Sequence, residues 1–342
     1  MKDDKDRKSI AQLLKDIRKE FGAESVTTMS EVPRVDVDVI PTGSYSLDKA
    51  LVVGGLPRGR IVEIFGPEAS GKTTLALSIC AQAQKKKGIA VYIDVENSLD
   101  KDRAQQLGVN LDELIINQPS SAEEALNILL RFIESNSVDV VVIDSVASLQ
   151  PKAELEGDIG DATIGLQARL MSQTMRKIAA KANKTKTLIV FINQIRMKIG
   201  GMPGFHGNPE TTPGGLALKF YSSVRLDIRR IGTVKDGEVA VGNNIRVKVA
   251  KNKVGPPYRI AEFLLLYDKG ISYEADVFNI AVRDAIIEKK GHTFYFEDEK
   301  IGTSIKAAME AFEGNKELVK KVIAVLEAPG RVKAEVKVEE ES

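Results

Sequence analysis

Ile61-Val62-Glu63-Ile64-Phe65-Gly66-Pro67-Glu68-Ala69-Ser70-Gly71-Lys72-Thr73-Thr74-Leu75-Ala76-Leu77-Ser78-Ile79 is the stretch that decides the fold. An apolar strand-like run leads into G-x-x-x-x-G-K-[ST], and a helix-forming run follows, which is the context this motif requires. Glycines let the backbone curl so that successive N–H groups point inward, and the helix adds its positive N-terminal end. Residues Gly66, Pro67, Glu68, Ala69, Ser70, Gly71, Lys72, Thr73 and Thr74 therefore read as a nest for a polyphosphate. Lys72 is placed to reach the β- and γ-phosphates, and the Thr73 hydroxyl to sit on Mg²⁺. A glycine-rich turn that binds nothing would not call for strand, spacing and helix together. The chain is read as a binder of a nucleoside triphosphate, with ATP and Mg²⁺ the expected ligands.

Working outward, three more apolar runs end on a polar residue: 89–96 ending at Glu96, 138–144 ending at Asp144 and 187–194 ending at Gln194. Near-continuous Val/Ile runs describe strands buried on both faces, and helical patterns at 74–86, 121–135 and 164–183 supply the crossovers. The expected class is α/β, a doubly wound and mostly parallel sheet. Ligands bind outside the carboxyl ends of such strands, where Gly66, Glu96, Asp144 and Gln194 would meet. Asp144 closes a Walker-B-like run and suits the metal together with Thr73. Glu96 is the candidate base for the attacking water, and Gln194 the candidate sensor of the γ-phosphate. Lys72, Glu96 and Gln194 are thus the expected catalytic set.

Length and composition fit this reading. A chain of 342 residues can bury a large core and carry smaller appendages. With 49 basic and 48 acidic side chains, the net charge of +1 gives no overall field to hold nucleic acid, so DNA binding would need local basic surfaces. The single cysteine, Cys80, lies in an apolar helical pattern and reads as packing. A charged N-terminus and the lack of any long apolar window point to a reducing, soluble compartment, the cytoplasm, and away from a membrane.

From Ile10 to Phe21, helical spacing of Ile10, Leu13, Leu14, Ile17 and Phe21 predicts an amphipathic helix ended by Gly22. Its apolar stripe needs a cover, either the chain's own ATPase core or a neighbouring subunit. Residues 35–40 alternate as a strand. Segment 195–215 is long, glycine-rich and aperiodic, and it carries Arg196, Lys198, Phe205 and His206. Such a loop is functional or unstructured; its cations and backbone N–H groups suit a phosphate backbone. A second short glycine-containing segment, 156–161, precedes a helix with Arg169 and Arg176. Segments 224–228 and 245–249 alternate as antiparallel strands. Beyond about residue 270, short helices around 292–296 read as a small α+β domain. The expected division is 1–34 as an N-terminal oligomerisation helix and linker, 35–269 as the ATPase core, 270–329 as the C-terminal domain and 330–342 as a disordered tail.

The motifs at 66–73, Ile93-Asp94 with Glu96, Ile143-Asp144-Ser145-Val146-Ala147, Phe191-Ile192-Asn193-Gln194-Ile195-Arg196, Asn208-Pro209-Glu210-Thr211-Thr212 and Ser223-Val224-Arg225-Leu226-Asp227-Ile228-Arg229-Arg230 together resemble the bacterial RecA recombinases. The resemblance runs from about residue 10 to 326 and implies a RecA-type ATPase that polymerises as a helical filament on single-stranded DNA. It implies strand exchange with a homologous duplex, and a filament that prompts self-cleavage of an SOS-type repressor. By resemblance the first DNA loop is 157–164 and the second 195–209 or slightly beyond. The candidate DNA contacts are Gly157, Ile164, Arg169, Arg176, Arg196, Lys198, Phe205, Asn208, Gly214 and Gly215. ATP is expected between subunits, with Asp100 and Tyr267 at the base and Lys251 and Lys253 reaching the neighbour's nucleotide. Phe220 is expected at the subunit interface, and the N-terminal helix on the adjacent subunit. The chain departs from the family pattern at Asn97-Ser98-Leu99-Asp100, at Arg103 where an adenine-stacking aromatic is usual, in a second loop about three residues longer, and in a shorter, less acidic tail. Two other readings share the nest: a ring-shaped translocase or helicase, and a non-catalytic ATP-gated scaffold. Closed rings would favour the first, and absence of DNA-stimulated turnover the second.

Overall fold

The computed structural model describes residues 4–22, 25–26, 37–158, 165–197 and 210–328. It divides into two units, Met1–Val37 and Asp38–Ser342, each taken by itself. In the first, helix α1 (Asp4–Phe21) forms as its apolar spacing predicts. Gly22, at φ +101°, ends it with its N–H on the Arg18 carbonyl at 3.0 Å. Ile10, Leu13 and Phe21 are each more than half exposed.

The second unit is built, among the described residues, on a nine-stranded sheet. In chain order its strands are β1 (Ile61–Gly66), β2 (Ala90–Asp94), β3 (Ile115–Asn117), β4 (Val140–Asp144), β5 (Leu188–Gln194), β6 (Val224–Asp236), β7 (Val239–Asn252), β8 (Ile260–Leu266) and β9 (Gly270–Ile271). Their spatial order is β3-β2-β4-β5-β1-β6-β7-β8-β9. Pairings from β3 through β6 are parallel and the remaining three antiparallel, so the sheet is mixed but mostly parallel.

Helices α2 (Tyr45–Ala50), α3 (Lys72–Lys85), α4 (Lys101–Gln106), α5 (Ala122–Glu134), α6 (Leu166–Thr185) and α7 (Gly215–Tyr221) surround the sheet. The unbroken Val/Ile runs have a simple cause. Successive strand residues point to opposite faces, and both faces are covered. In β4, Val140 and Val142 join one core cluster with Leu75 and Ile79 of α3. Val141 and Ile143 join the other with Leu129 of α5 and Ile178 of α6. Each such fully buried aliphatic side chain contributes roughly 1.5–3 kcal/mol. Helix α5 begins where Ser121 caps it, its Oγ accepting from the Glu124 N–H at 3.3 Å, while Glu124 reaches back to the Ser120 N–H at 2.9 Å.

Strands β6 and β7 extend well past the expected 224–228 and 245–249, to 13 and 14 residues. Their distal part is largely exposed, so it needs no apolar face and leaves no alternating signal. Strand β3 and helix α4 were not expected; Ile115 and Ile116 are exposed at the sheet edge and α4 has only six residues.

Beyond β9, helices α8 (Tyr273–Arg283), α9 (Ile305–Gly314) and α10 (Lys316–Glu327) pack with a three-stranded antiparallel sheet, β10 (Glu288–Lys290), β11 (Thr293–Phe296) and β12 (Glu299–Gly302). Phe278 lies at the centre of this cluster, 5.5 Å from the rings of both Phe294 and Phe312. Tyr45 of α2 belongs to the same cluster. Asp276 of α8, wholly buried, accepts from Ser44 Oγ at 2.6 Å, the Ser46 N–H at 2.9 Å and Ser46 Oγ at 3.0 Å. Apolar and polar contacts together fasten this part to the strand-and-helix core.

Candidate active site

β1 delivers Gly66 to the carboxyl edge of the sheet, between β5 and β6. A Cβ at Gly66 would stand 2.2 Å from the Ile228 carbonyl oxygen, so only glycine lets β6 approach. Gly71, at φ +96°, turns the chain into α3. Between them Ser70 Oγ donates to Pro67 O at 2.8 Å and closes the loop. Lys72 Nζ lies across the nest, donating to Pro67 O at 2.6 Å and Gly66 O at 3.3 Å. Burial lowers the Lys72 pKa, and the carboxylates of Asp144, Glu96 and Glu68 oppose that shift. The nest opens into a cavity of about 490 Å³. Its lining includes Lys72, Arg103 and Arg230 and no carboxylate. Three cations with the first-turn amides of α3 make a donor set that fits a polyphosphate.

The second half of the site hangs from β2, β4 and β5. Asp144 Oδ2 accepts from Thr73 Oγ1 at 2.8 Å and from Tyr92 OH at 2.7 Å. Burial raises the Asp144 pKa while these two hydrogen bonds pull it down. The Tyr92 hydroxyl is held well above its ordinary range, chiefly by burial. Thr73 and Asp144, expected as metal ligands, are therefore adjacent. Among the described residues no group of three or more His, Cys, Asp or Glu side chains could hold a metal. A pair of protein ligands suits Mg²⁺, which keeps waters and takes phosphate oxygens for the rest of its shell.

Asp94, at the end of β2, accepts from the N–H groups of Ser98 (3.2 Å) and Leu99 (3.1 Å) and from Gln118 Nε2 at 3.1 Å. The Val95 N–H donates to Asp144 O at 2.7 Å. These bonds fold the segment after β2 back over β4 and place Glu96. Its Oε1 accepts from Ser145 Oγ at 2.6 Å, Ser148 Oγ at 3.2 Å and Gln194 Nε2 at 3.2 Å. Among the described residues no hydrogen bond is made to Oε2. Gly66, Glu96, Asp144 and Gln194 thus meet at one edge, as their strand-end positions predict.

The remaining expected residues are spread more widely. Tyr267 lines the cavity, its OH 3.4 Å from Asn243 Oδ1. Arg103 Nη1 donates to the Tyr267 carbonyl. Asp100 is outside the lining; its Oδ1 caps α4 on the Arg103 N–H at 2.6 Å. Lys251 and Lys253 also stand outside that lining, at the C-terminal end of α7. Lys251 Nζ donates to Lys219 O at 2.7 Å and Phe220 O at 3.0 Å, and Lys253 Nζ to Phe220 O at 3.4 Å. Burial and the charges of Lys253 and Arg225 lower the Lys251 pKa. The Phe220 side chain is exposed. Gly157, Arg169, Arg176 and Arg196 are all exposed, and Gly214 and Gly215 open α7. Ile164, Lys198, Phe205 and Asn208 lie outside the described residues, as does 330–342.

Sequence reasoning missed Asp94, Tyr92, Ser145, Ser148 and Arg230 as site residues. Asp94 carried a usable signal, since it ends an apolar run as Asp144 does. Cys80 is wholly buried, and burial pushes its thiol up to about 12, in keeping with a packing role. Among the described residues no helix is long and apolar enough to cross a membrane.

Comparison with known proteins adds an independent finding. The family model for the RecA N-terminal domain matches residues 8–272. The chain is 56% identical to Protein RecA of Methylococcus capsulatus over 301 residues, 88% of this chain and 86% of that one. It is 51% identical to Protein RecA of Thermus aquaticus over 328 residues, 95% and 96% of the two chains. Protein RecA of Thermus thermophilus is 50% identical over 332 residues, 96% and 97% of the two chains.

Proposed function

The chain belongs to the RecA family, and from that premise we propose that it hydrolyses ATP to drive strand exchange between DNA molecules, as a filament on single-stranded DNA. The observation that carries this reading is the meeting of two hydrogen-bonded pairs beside the nest, Thr73 with Asp144 and Gln194 with Glu96.

In this reading Lys72 leaves the Pro67 and Gly66 carbonyls and turns to the phosphates. Thr73 and Asp144 would hold Mg²⁺, which would supply positive charge to the phosphate oxygens. Glu96 takes a proton from the attacking water at Oε2, the oxygen left free by Ser145, Ser148 and Gln194. Gln194 exchanges its bond to Glu96 for one to the γ-phosphate, and because segment 195–209 follows it directly, that exchange reaches the second DNA loop. Tyr267 and Asp100 serve the base.

The exposed Arg169, Arg176 and Arg196 serve DNA, together with Lys198 and with Gly157, Ile164, Phe205, Asn208, Gly214 and Gly215 in or beside the loop segments of the sequence. Lys251 and Lys253 reach the nucleotide of a neighbouring subunit, Phe220 packs at that interface, and α1 docks on the adjacent copy with Ile10, Leu13 and Phe21. The partners are single-stranded DNA, a homologous duplex and a self-cleaving SOS-type repressor, in the cytoplasm.

The test is strand exchange between a circular single strand and a linear duplex under ATP, comparing wild type with Lys72→Ala. Exchange and single-strand-stimulated turnover in the wild type only, with long helical filaments in electron micrographs, is the expected result. Closed rings, or turnover indifferent to DNA, would overturn it.

A further inference from the structure

Within the P-loop strand, one acid interrupts an apolar run: Ile61-Val62-Glu63-Ile64-Phe65. Glu63 is fully buried. A carboxylate there is tolerated only with its oxygens partnered. Oε2 accepts from Arg225 Nε at 2.5 Å, and Oε1 from Asn193 Nδ2 at 3.0 Å. Arg225 stands opposite Glu63 in the β1–β6 register, its guanidinium 4.4 Å from the centre of the Phe65 ring. The partners are therefore fixed from both neighbouring strands.

Asn193 carries this arrangement onward in two directions. Its Oδ1 accepts the Gln194 N–H at 3.1 Å, and Gln194 Nε2 donates to Glu96. Its Nδ2 also donates to Pro213 O at 3.1 Å, just ahead of α7. Helix α7 buries Leu218 completely, but Leu216 and Phe220 are 65% and 67% exposed. Its far end is held by Lys251. A short helix with one buried apolar anchor is thus tied down by hydrogen bonds at both ends. Glu63 is not among the residues that line the nucleotide cavity, and its hydrogen-bonded link toward Gln194 and Glu96 runs through Asn193.

We propose that Glu63 is a positioning residue for hydrolysis: its carboxylate fixes Asn193, and Asn193 sets both Gln194 against Glu96 and the entry to α7. This rests on the ATP turnover proposed above. Stability alone does not call for the pair, because a buried ion pair is commonly matched by apolar residues of similar size.

The test compares wild type, E63Q, N193A, the double variant and the paired replacement E63M/R225M, in which neither charge is left alone. In single-strand-stimulated turnover, kcat is expected to fall about tenfold or more in each single variant. KM for ATP and the affinity for a fluorescent ADP analogue should move less than about threefold, and the double variant should be no worse than the poorer single one. In nucleotide-free protein, amide exchange should quicken at 193–194 and 215–221 and stay unchanged within α3. E63M/R225M should unfold at the wild-type urea concentration or above it yet show the same loss of kcat, which keeps the idea open to refutation even where E63Q does not fold. Wild-type kcat in E63M/R225M, losses that simply add, or an effect confined to KM would overturn the proposal. A wild type without turnover would bring down the underlying reading, and this inference with it.

Discussion

Three donors occupy Oε1 of Glu96, so whatever proton chemistry this side chain performs belongs to Oε2. Glu96→Gln keeps an oxygen for Ser145 and Ser148 and removes the proposed base. We expect turnover to fall about 10²- to 10⁴-fold while nucleotide affinity stays within about threefold, checked by steady-state hydrolysis and by titration with a fluorescent ADP analogue; wild-type turnover would exclude Glu96 as the base. That Lys72, Thr73, Glu96, Asp144 and Gln194 gather at one sheet edge was legible in the sequence because each sits at a strand end or in a spaced motif. Glu63, Asn193 and Tyr92 were not. Inside an apolar run a single acid or amide resembles a tolerated exception, and its purpose depends on partners 130 and 162 residues away. Spacing along the chain holds no trace of such a pairing.

At the scale of elements, the parallel strands were legible because two covered faces demand apolar residues at every position. Strand β3 and the distal ribbon of β6 and β7 escaped for the opposite reason: little of their surface is buried, so they need no apolar pattern. The C-terminal helices illustrate the stronger signal. Phe312 of α9 is fully buried and packs on Phe278 of α8. Phe312→Ala should cost roughly 3–5 kcal/mol, read by urea unfolding. Phe312 does not line the cavity beside the nest, so nucleotide affinity should be unchanged in the folded variant.

For the molecule as a whole, stability should carry a pH signature from the seam between α2 and α8. Burial lifts the Asp276 carboxyl from 3.8 to about 6, against the opposing pull of Ser44 and Ser46. Nearby Asp48 is lifted to about 7, also chiefly by burial, and the buried Tyr45 hydroxyl on the same helix is raised as well. A carboxyl whose folded pKa exceeds its unfolded value holds more protons in the native state. Its contribution is complete below about pH 4 and is lost as pH rises through 6. Asp276→Asn removes that dependence. The stability of wild type relative to the variant should therefore decline by roughly 2 kcal/mol between pH 4 and 7, measured by urea unfolding at a series of pH values; a flat difference would show that Asp276 does not titrate there. Cys80 offers a second whole-molecule readout. Because the chain's one thiol is sealed in the cluster between α3 and the sheet, a disulfide reagent cannot meet it while that cluster is closed. Native protein should stay silent to such a reagent, and the slow rate at which it finally reacts should report the opening of this core directly. The molecule thus carries its own clock for unfolding, and a cysteine introduced at exposed Leu216 would accept a label against a dark background.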